Sequence, residues 1–123
     1  MKKTILLICI AAFCFSCGNG GSENSSGTKA KAEDPDIEKG LALVGKLDCF
    51  GCHKINEASI GPAYNKVGEK YENNDANISF LAEKIQKGGA GNWGTVPMAA
   101  HGTVSTDDAK LMAKYVLSLK NEK

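Results

Sequence analysis

Arginine is absent from this chain of 123 residues, and its fifteen basic side chains are all lysines. Fourteen Asp and Glu nearly balance them. A near-neutral chain argues against nucleic acid as a partner, because that needs a clustered basic face. No apolar run is long enough to cross a bilayer. The short run from Thr4 to Phe15, after Lys2 and Lys3, has instead the make-up of an export signal. Without the two signal lysines, thirteen lysines face fourteen acids, a net charge of −1. No stretch alternates as a half-buried strand does, so nothing points to a sheet. No internal repeat is visible, and the length suits one domain. A disulfide framework is also missing. Of five cysteines, Cys9 and Cys14 fall in the signal and Cys17 at its boundary, while Cys49 and Cys52 belong to one motif.

That motif is Cys49-Phe50-Gly51-Cys52-His53. Two thiols three positions apart, with a histidine directly after the second, form an attachment site for a c-type haem. Each thiol adds across one porphyrin vinyl group to make a thioether, and the imidazole coordinates iron from one face. Two other readings of the same residues are weaker. A redox dithiol belongs near a βαβ pattern, and none is present. A zinc site needs a fourth ligand, for which only His101 is free, and adjacent Cys52 and His53 close a tetrahedron poorly. Export and this motif support each other, since the thiols meet haem outside the cytoplasm.

The remaining pattern is helical. Gly18 to Glu33 contains no large apolar residue and reads as a flexible linker spanning roughly 20–24 Å end to end. Asp34-Pro35 is a cap followed by proline at the first helical position. Ile37, Leu41 and Val44 then share a helical face, and this helix ends before Cys49. Ala63 to Tyr71 carries Tyr64, Val67 and Tyr71 on one side. Asp75 or Asn77 can cap a helix with Ile78, Leu81 and Ile85 as its stripe and Gly88 as its stop. Ser105, with Asp108 three residues on, opens a last helix whose apolar face is Leu111, Met112, Tyr115, Val116 and Leu119. A helical domain of this size has a marginal core, and a large apolar cofactor would complete it.

Beyond the haem motif, four phrases carry a resemblance: Gly40-Leu-Ala-Leu-Val44, Gly61-Pro62-Ala-Tyr64, Gly91-Asn-Trp93-Gly-Thr-Val-Pro97-Met98 and Ala113-Lys-Tyr115-Val-Leu-Ser-Leu119. From about Asp34 to Lys120 the chain resembles the class I monohaem bacterial cytochromes c, small electron carriers with His/Met-ligated iron. The resemblance implies an all-α fold of four to five helices around one haem c, covalently held through Cys49 and Cys52. It implies His53 and Met98 as the two iron ligands. Methionine more often fills gaps in cores, as Met112 is read here, but Met98 follows Pro97 in a Gly-rich loop. The resemblance further implies that the Pro62 carbonyl holds the second ring nitrogen of His53. It assigns the Trp93 indole N–H to a haem propionate, on the expectation that a buried indole needs a partner. Gly40 and Tyr115 mark the crossing of first and last helices. His101 departs from the family's loop, where a polar amide often stands; holding the loop, meeting solvent and competing weakly for iron are open to it, and it is read first as a loop histidine without a role.

Phe15-Ser16-Cys17-Gly18 resembles a bacterial lipoprotein cleavage box, with Cys17 as the lipidated residue. The division expected is a signal peptide over 1–16, the lipidated cysteine and flexible linker over 17–33, and the cytochrome c domain over 34–123. The function expected is single-electron transfer in a respiratory or periplasmic chain, not enzymatic. Partners would be membrane-bound or periplasmic redox proteins such as oxidases, reductases or a quinol-oxidising complex. The carrier is expected on the periplasmic side of a membrane, anchored through Cys17. Alternatives are a haem-based ligand sensor or peroxidase-like site with a dissociable Met98, and a cytochrome subunit of a larger respiratory complex.

Overall fold

The computed structural model describes residues 34–123. The expected signal peptide over 1–16, Cys17 and the 17–33 segment lie outside the described residues. Five helices follow one another: α1 (Pro35–Lys46), α2 (Cys49–Cys52), α3 (Tyr64–Lys70), α4 (Asp75–Lys87) and α5 (Thr106–Ser118). Among the described residues the only β pairing is an isolated bridge between Gly89 and Met98.

α5 is the element on which the others pack: it meets α1, α4 and α3. Its start is set locally, because the Ser105 hydroxyl accepts from the Asp108 N–H at 3.1 Å and satisfies one orphan donor of the first turn. Asp107 and Asp108 occupy that first turn, where the helix dipole favours negative charge. Ala109, Met112, Ala113, Tyr115, Val116 and Leu117 are its buried residues. Met112 is therefore core, as expected.

α1 begins as the sequence indicates, with the Asp34 carboxylate accepting from the Asp36 N–H at 2.9 Å and Pro35 in the first turn. Its buried face differs from the expected one. Gly40 and Val44 are buried, Ile37 packs at the edge of the core, and Leu41 is 45% exposed. The crossing with α5 decides this. A Cβ on Gly40 would strike the Leu111 carbonyl oxygen and stand 2.8 Å from Tyr115 Cβ. Glycine thus permits the closest backbone approach, and the helix turns that side inward. An Asp36–Lys114 ion pair at 2.6 Å closes the edge of the same contact.

α4 is capped by Asn74, whose side chain accepts from the Asn77 N–H at 2.9 Å. Neither Asp75 nor Asn77, the two expected residues, is the cap; Asp75 is the first helical residue. Ile78 and Ala82 are buried, with Leu81 and Ile85 packed beside them. Gly88 ends the helix at φ +67°, a left-handed conformation that costs glycine little. A side chain there would also collide with the Met98 carbonyl oxygen.

Candidate functional site

The short α2 and the loop after it build one wall of a cleft. Cys49 opens the helix and Cys52 closes it, with both thiols free of disulfides. One turn separates them, so both face the same side. The half-buried Cys49 thiol is pushed up in pKa, chiefly by burial. His53 follows at the C-cap, its N–H bonded to the Cys49 carbonyl at 2.9 Å.

The imidazole of His53 is held on three sides. Its Nδ1 lies 2.8 Å from the Pro62 carbonyl oxygen. A carbonyl only accepts, so Nδ1 is the donor, and of the two neutral tautomers the contact selects the one whose lone pair is on Nε2. The Tyr64 ring stacks on the imidazole, 5.0 Å between centroids and 12° between planes. Gly61 lies against the ring: a Cβ there would stand 2.5 Å from Cε1 and 2.8 Å from Nδ1. The loop making these contacts is tied down by bonds from the Gly61 N–H to the Cys52 carbonyl at 2.8 Å, and from the Tyr64 N–H to the Lys54 carbonyl at 2.9 Å. Burial pushes the Tyr64 hydroxyl well above the ordinary tyrosine range, with the neighbouring Cys49 thiol adding to it. Tyr64 therefore stays neutral beside His53.

The segment after α4 also lines the cleft. Met98 and Gly89 exchange backbone bonds, Met98 N–H to Gly89 oxygen at 3.0 Å and Gly89 N–H to Met98 oxygen at 3.1 Å. The loop between them carries Trp93 and Pro97. Lys70 braces it from α3, donating to the Asn92 carbonyl at 2.7 Å with its ammonium 4.4 Å from the Trp93 ring centroid. Trp93 is 44% exposed on the polypeptide alone. Its place is the rim of the cleft, on which it lines the wall with Met98.

Cys49, Cys52, His53, Pro62, Trp93 and Met98 all line this one cleft, whose volume is about 720 Å³. The chain's own features fit a haem there. His53, from the loop after α2, and Met98, from the segment after α4, both line the cleft. Ile60, Trp93 and Val96 line the cleft as large exposed apolar side chains, surface that an apolar macrocycle would cover. His101 also lines the cleft, with its Nδ1 shielded within the protein and without a hydrogen-bond partner among the described residues.

Residues 37–120 match the family model described as "Cytochrome c". The chain belongs to the cytochrome c family. It is 42% identical over 78 residues to cytochrome c-552 of Hydrogenobacter thermophilus, covering 63% of this chain and 79% of that one. It is 38% identical over 85 residues to cytochrome c-551 of Allochromatium vinosum, covering 69% and 90%. The crystal structure of wild-type Nitrosomonas europaea cytochrome c552 superposes with a TM-score of 0.60 at 37% identity, covering 64% of this chain and 98% of that one. This cytochrome is a class I, monohaem, mostly helical electron carrier rather than an enzyme. Its Cys-X-X-Cys-His motif holds one covalent c-type haem.

Three contributors to the site went unread in the sequence. In the sequence Tyr64 is an apolar helix position and the end of the Gly61-Pro62-Ala-Tyr64 phrase, with no sign of its ring on His53. Gly61 was seen as part of a phrase, without its contact to the imidazole. Lys70 gave no signal, since one lysine among fifteen carries none.

Proposed function

We propose that this cytochrome passes single electrons between membrane-bound or periplasmic redox proteins, with His53 and Met98 closing the two faces of the iron. One observation carries the reading: the His53 ring, with its lone pair left on Nε2 by the Pro62 carbonyl, faces the same cleft as Met98. Bound haem supplies reversible one-electron exchange at its iron. The chain's residues do the rest. Cys49 and Cys52 anchor the macrocycle by thioethers. The Pro62 carbonyl and the Tyr64 ring fix the imidazole, and the Gly89 bridge fixes Met98. Holding both ligands still keeps the geometry alike in both oxidation states, which lowers the reorganisation each transfer requires. The Met98 thioether is soft, favours ferrous iron and raises the potential. Trp93 on the rim is suited to donate its indole N–H to a propionate. With neither face open, small ligands have no point of entry.

The cytochrome is exported by its 1–16 signal and works on the periplasmic side of a membrane, held by lipid on Cys17 through the 17–33 linker. Supporting this are the apolar run after Lys2 and Lys3 and the Phe15-Ser16-Cys17-Gly18 phrase. No described helix is long and apolar enough to cross a membrane. The ligand assignment is tested by Met98→Ala. The variant should lose the far-red thioether-to-iron absorption band of the ferric protein, and its potential should fall. A variant keeping the band and the potential would show that Met98 is not the ligand.

A further inference from the structure

We propose that His101 is a reserve iron ligand, its imidazole taking the face that Met98 vacates when the thioether is removed. The inference rests on Met98 as the resident ligand. Its starting point is the His101 ring, whose Nδ1 is shielded within the protein and whose Nε2, the nitrogen left accessible, makes no hydrogen bond among the described residues. His101 lines the same cleft as Met98 and His53.

The backbone keeps it there. The His101 N–H donates to the Ile85 carbonyl at 3.0 Å, and the His101 carbonyl accepts from the Val104 N–H at 3.0 Å. One bond ties the residue to α4 and the other to the approach of α5. Met98 is tied separately, by its pair of bonds to Gly89. Only Ala99 and Ala100 lie between the two residues. Sulfur and imidazole are thus presented from one wall by two independent anchors. The clamp on Gly89 gives Met98 the position. Once the sulfur is gone, the same cleft is still lined by a side chain whose accessible Nε2 makes no hydrogen bond among the described residues. Imidazole is a competent iron ligand in its own right. The replacement would keep the iron closed to small molecules, so a damaged carrier would not become a reactive open site.

The test uses the full-length holoprotein. The wild-type ferric spectrum and Met98→Ala are compared first, and loss of the thioether band on substitution establishes Met98. Ferric Met98→Ala should then remain low-spin by electron paramagnetic resonance. Met98→Ala/His101→Gln should turn high-spin, because glutamine keeps a polar side chain but offers no imidazole. Azide should bind the double variant about tenfold more tightly than the single one, a difference near 1.4 kcal/mol. Added free imidazole should return the double variant to low spin. A high-spin Met98→Ala protein that binds azide as tightly as the double variant would overturn the proposal and leave Met98 standing. Conversion to high spin by Lys84→Ala in the Met98→Ala background, instead of by His101→Gln, would overturn it too, since Lys84 lines the same cleft. A wild type lacking the thioether band, with a spectrum indifferent to Met98→Ala, would sink both readings together.

Discussion

The orientation of His53 is decided by its neighbours, and each makes a separate demand. The Pro62 contribution is a backbone carbonyl, which any residue supplies. Pro62→Ala should therefore keep the Nδ1 bond and most of the haem, at the cost of a looser turn. Gly61 has no such substitute. A Cβ at 2.5 Å from the imidazole is closer than packing allows and must push the ring off the Pro62 oxygen. Gly61→Ala should lower the haem incorporated per polypeptide and shift the potential of the protein that matures. Haem-to-protein ratio and voltammetry read both. A Gly61→Ala cytochrome indistinguishable from wild type would mean that the contact does not position His53.

At the scale of helices, the α1–α5 crossing is the contact most sensitive to a single atom. Gly40→Ala places a methyl group against the Leu111 carbonyl oxygen and Tyr115. Overpacking of this kind costs about 1–3 kcal/mol, readable as a lower melting temperature of the holoprotein. The nearby Asp36–Lys114 pair behaves differently. The Lys114 ammonium, by hydrogen bond and by charge, holds the Asp36 carboxyl below its usual range. A carboxyl lowered by folding stabilises fully above its unfolded pKa, and that contribution fades as pH falls through the lowered value. Both side chains are more than a third exposed, so salt screens the pair and its contribution is small. Asp36→Asn should remove this acid-side dependence and cost far less stability than Gly40→Ala, as melting curves across pH would show.

These two helices also show what was legible. α5 could be read almost whole, because Ser105, two acids and a long apolar stripe all agree on its limits. α4 could be read in its body but not at its start. Asn73, Asn74, Asp75 and Asn77 all favour capping, and only the bond from the Asn77 N–H selects Asn74. α1 was legible as a helix, yet its buried side was misjudged at Leu41, because a glycine crossing outweighs an apolar stripe. α2 could not be read as a helix at all. Four residues give no periodicity, and its conformation comes from the chain around it. The site's ligands stood out because thiol and imidazole chemistry constrains spacing. Its supports did not, because Tyr64 and Gly61 reach His53 only through the fold.

For the whole molecule, the cleft is the missing part of the core. Val44, Val67, Tyr64 and Met112 line it and also belong to the buried cluster. A volume of about 720 Å³ is too large for so small a domain to close on its own. Cytochrome prepared without haem should be largely unfolded, with a featureless near-ultraviolet dichroism and no cooperative melt. Native-like dichroism from that preparation would mean that the polypeptide core suffices. Cys49→Ala or Cys52→Ala should each leave a single thioether, while His53→Ala should abolish stable holoprotein. The proposed tether belongs to the same scale. With Cys17 acylated, a linker reaching roughly 20–24 Å keeps the haem near the membrane surface and raises its effective concentration near membrane-bound partners. Cys17→Ser should release the protein or leave its signal uncleaved, with haem attachment unchanged. An unmodified Cys17 in the N-terminal peptide by mass spectrometry would make it a freely diffusing carrier.

The central claim is that His53 and Met98 together leave the iron no open face. Carbon monoxide added to the ferrous wild-type holoprotein tests it most directly, because the gas binds only where a ligand is missing or readily leaves. The visible spectrum should stay unchanged at saturating gas. Rapid conversion to a carbon-monoxide-bound spectrum would contradict the claim and turn the reading toward a sensor or peroxidase-like site with a dissociable Met98.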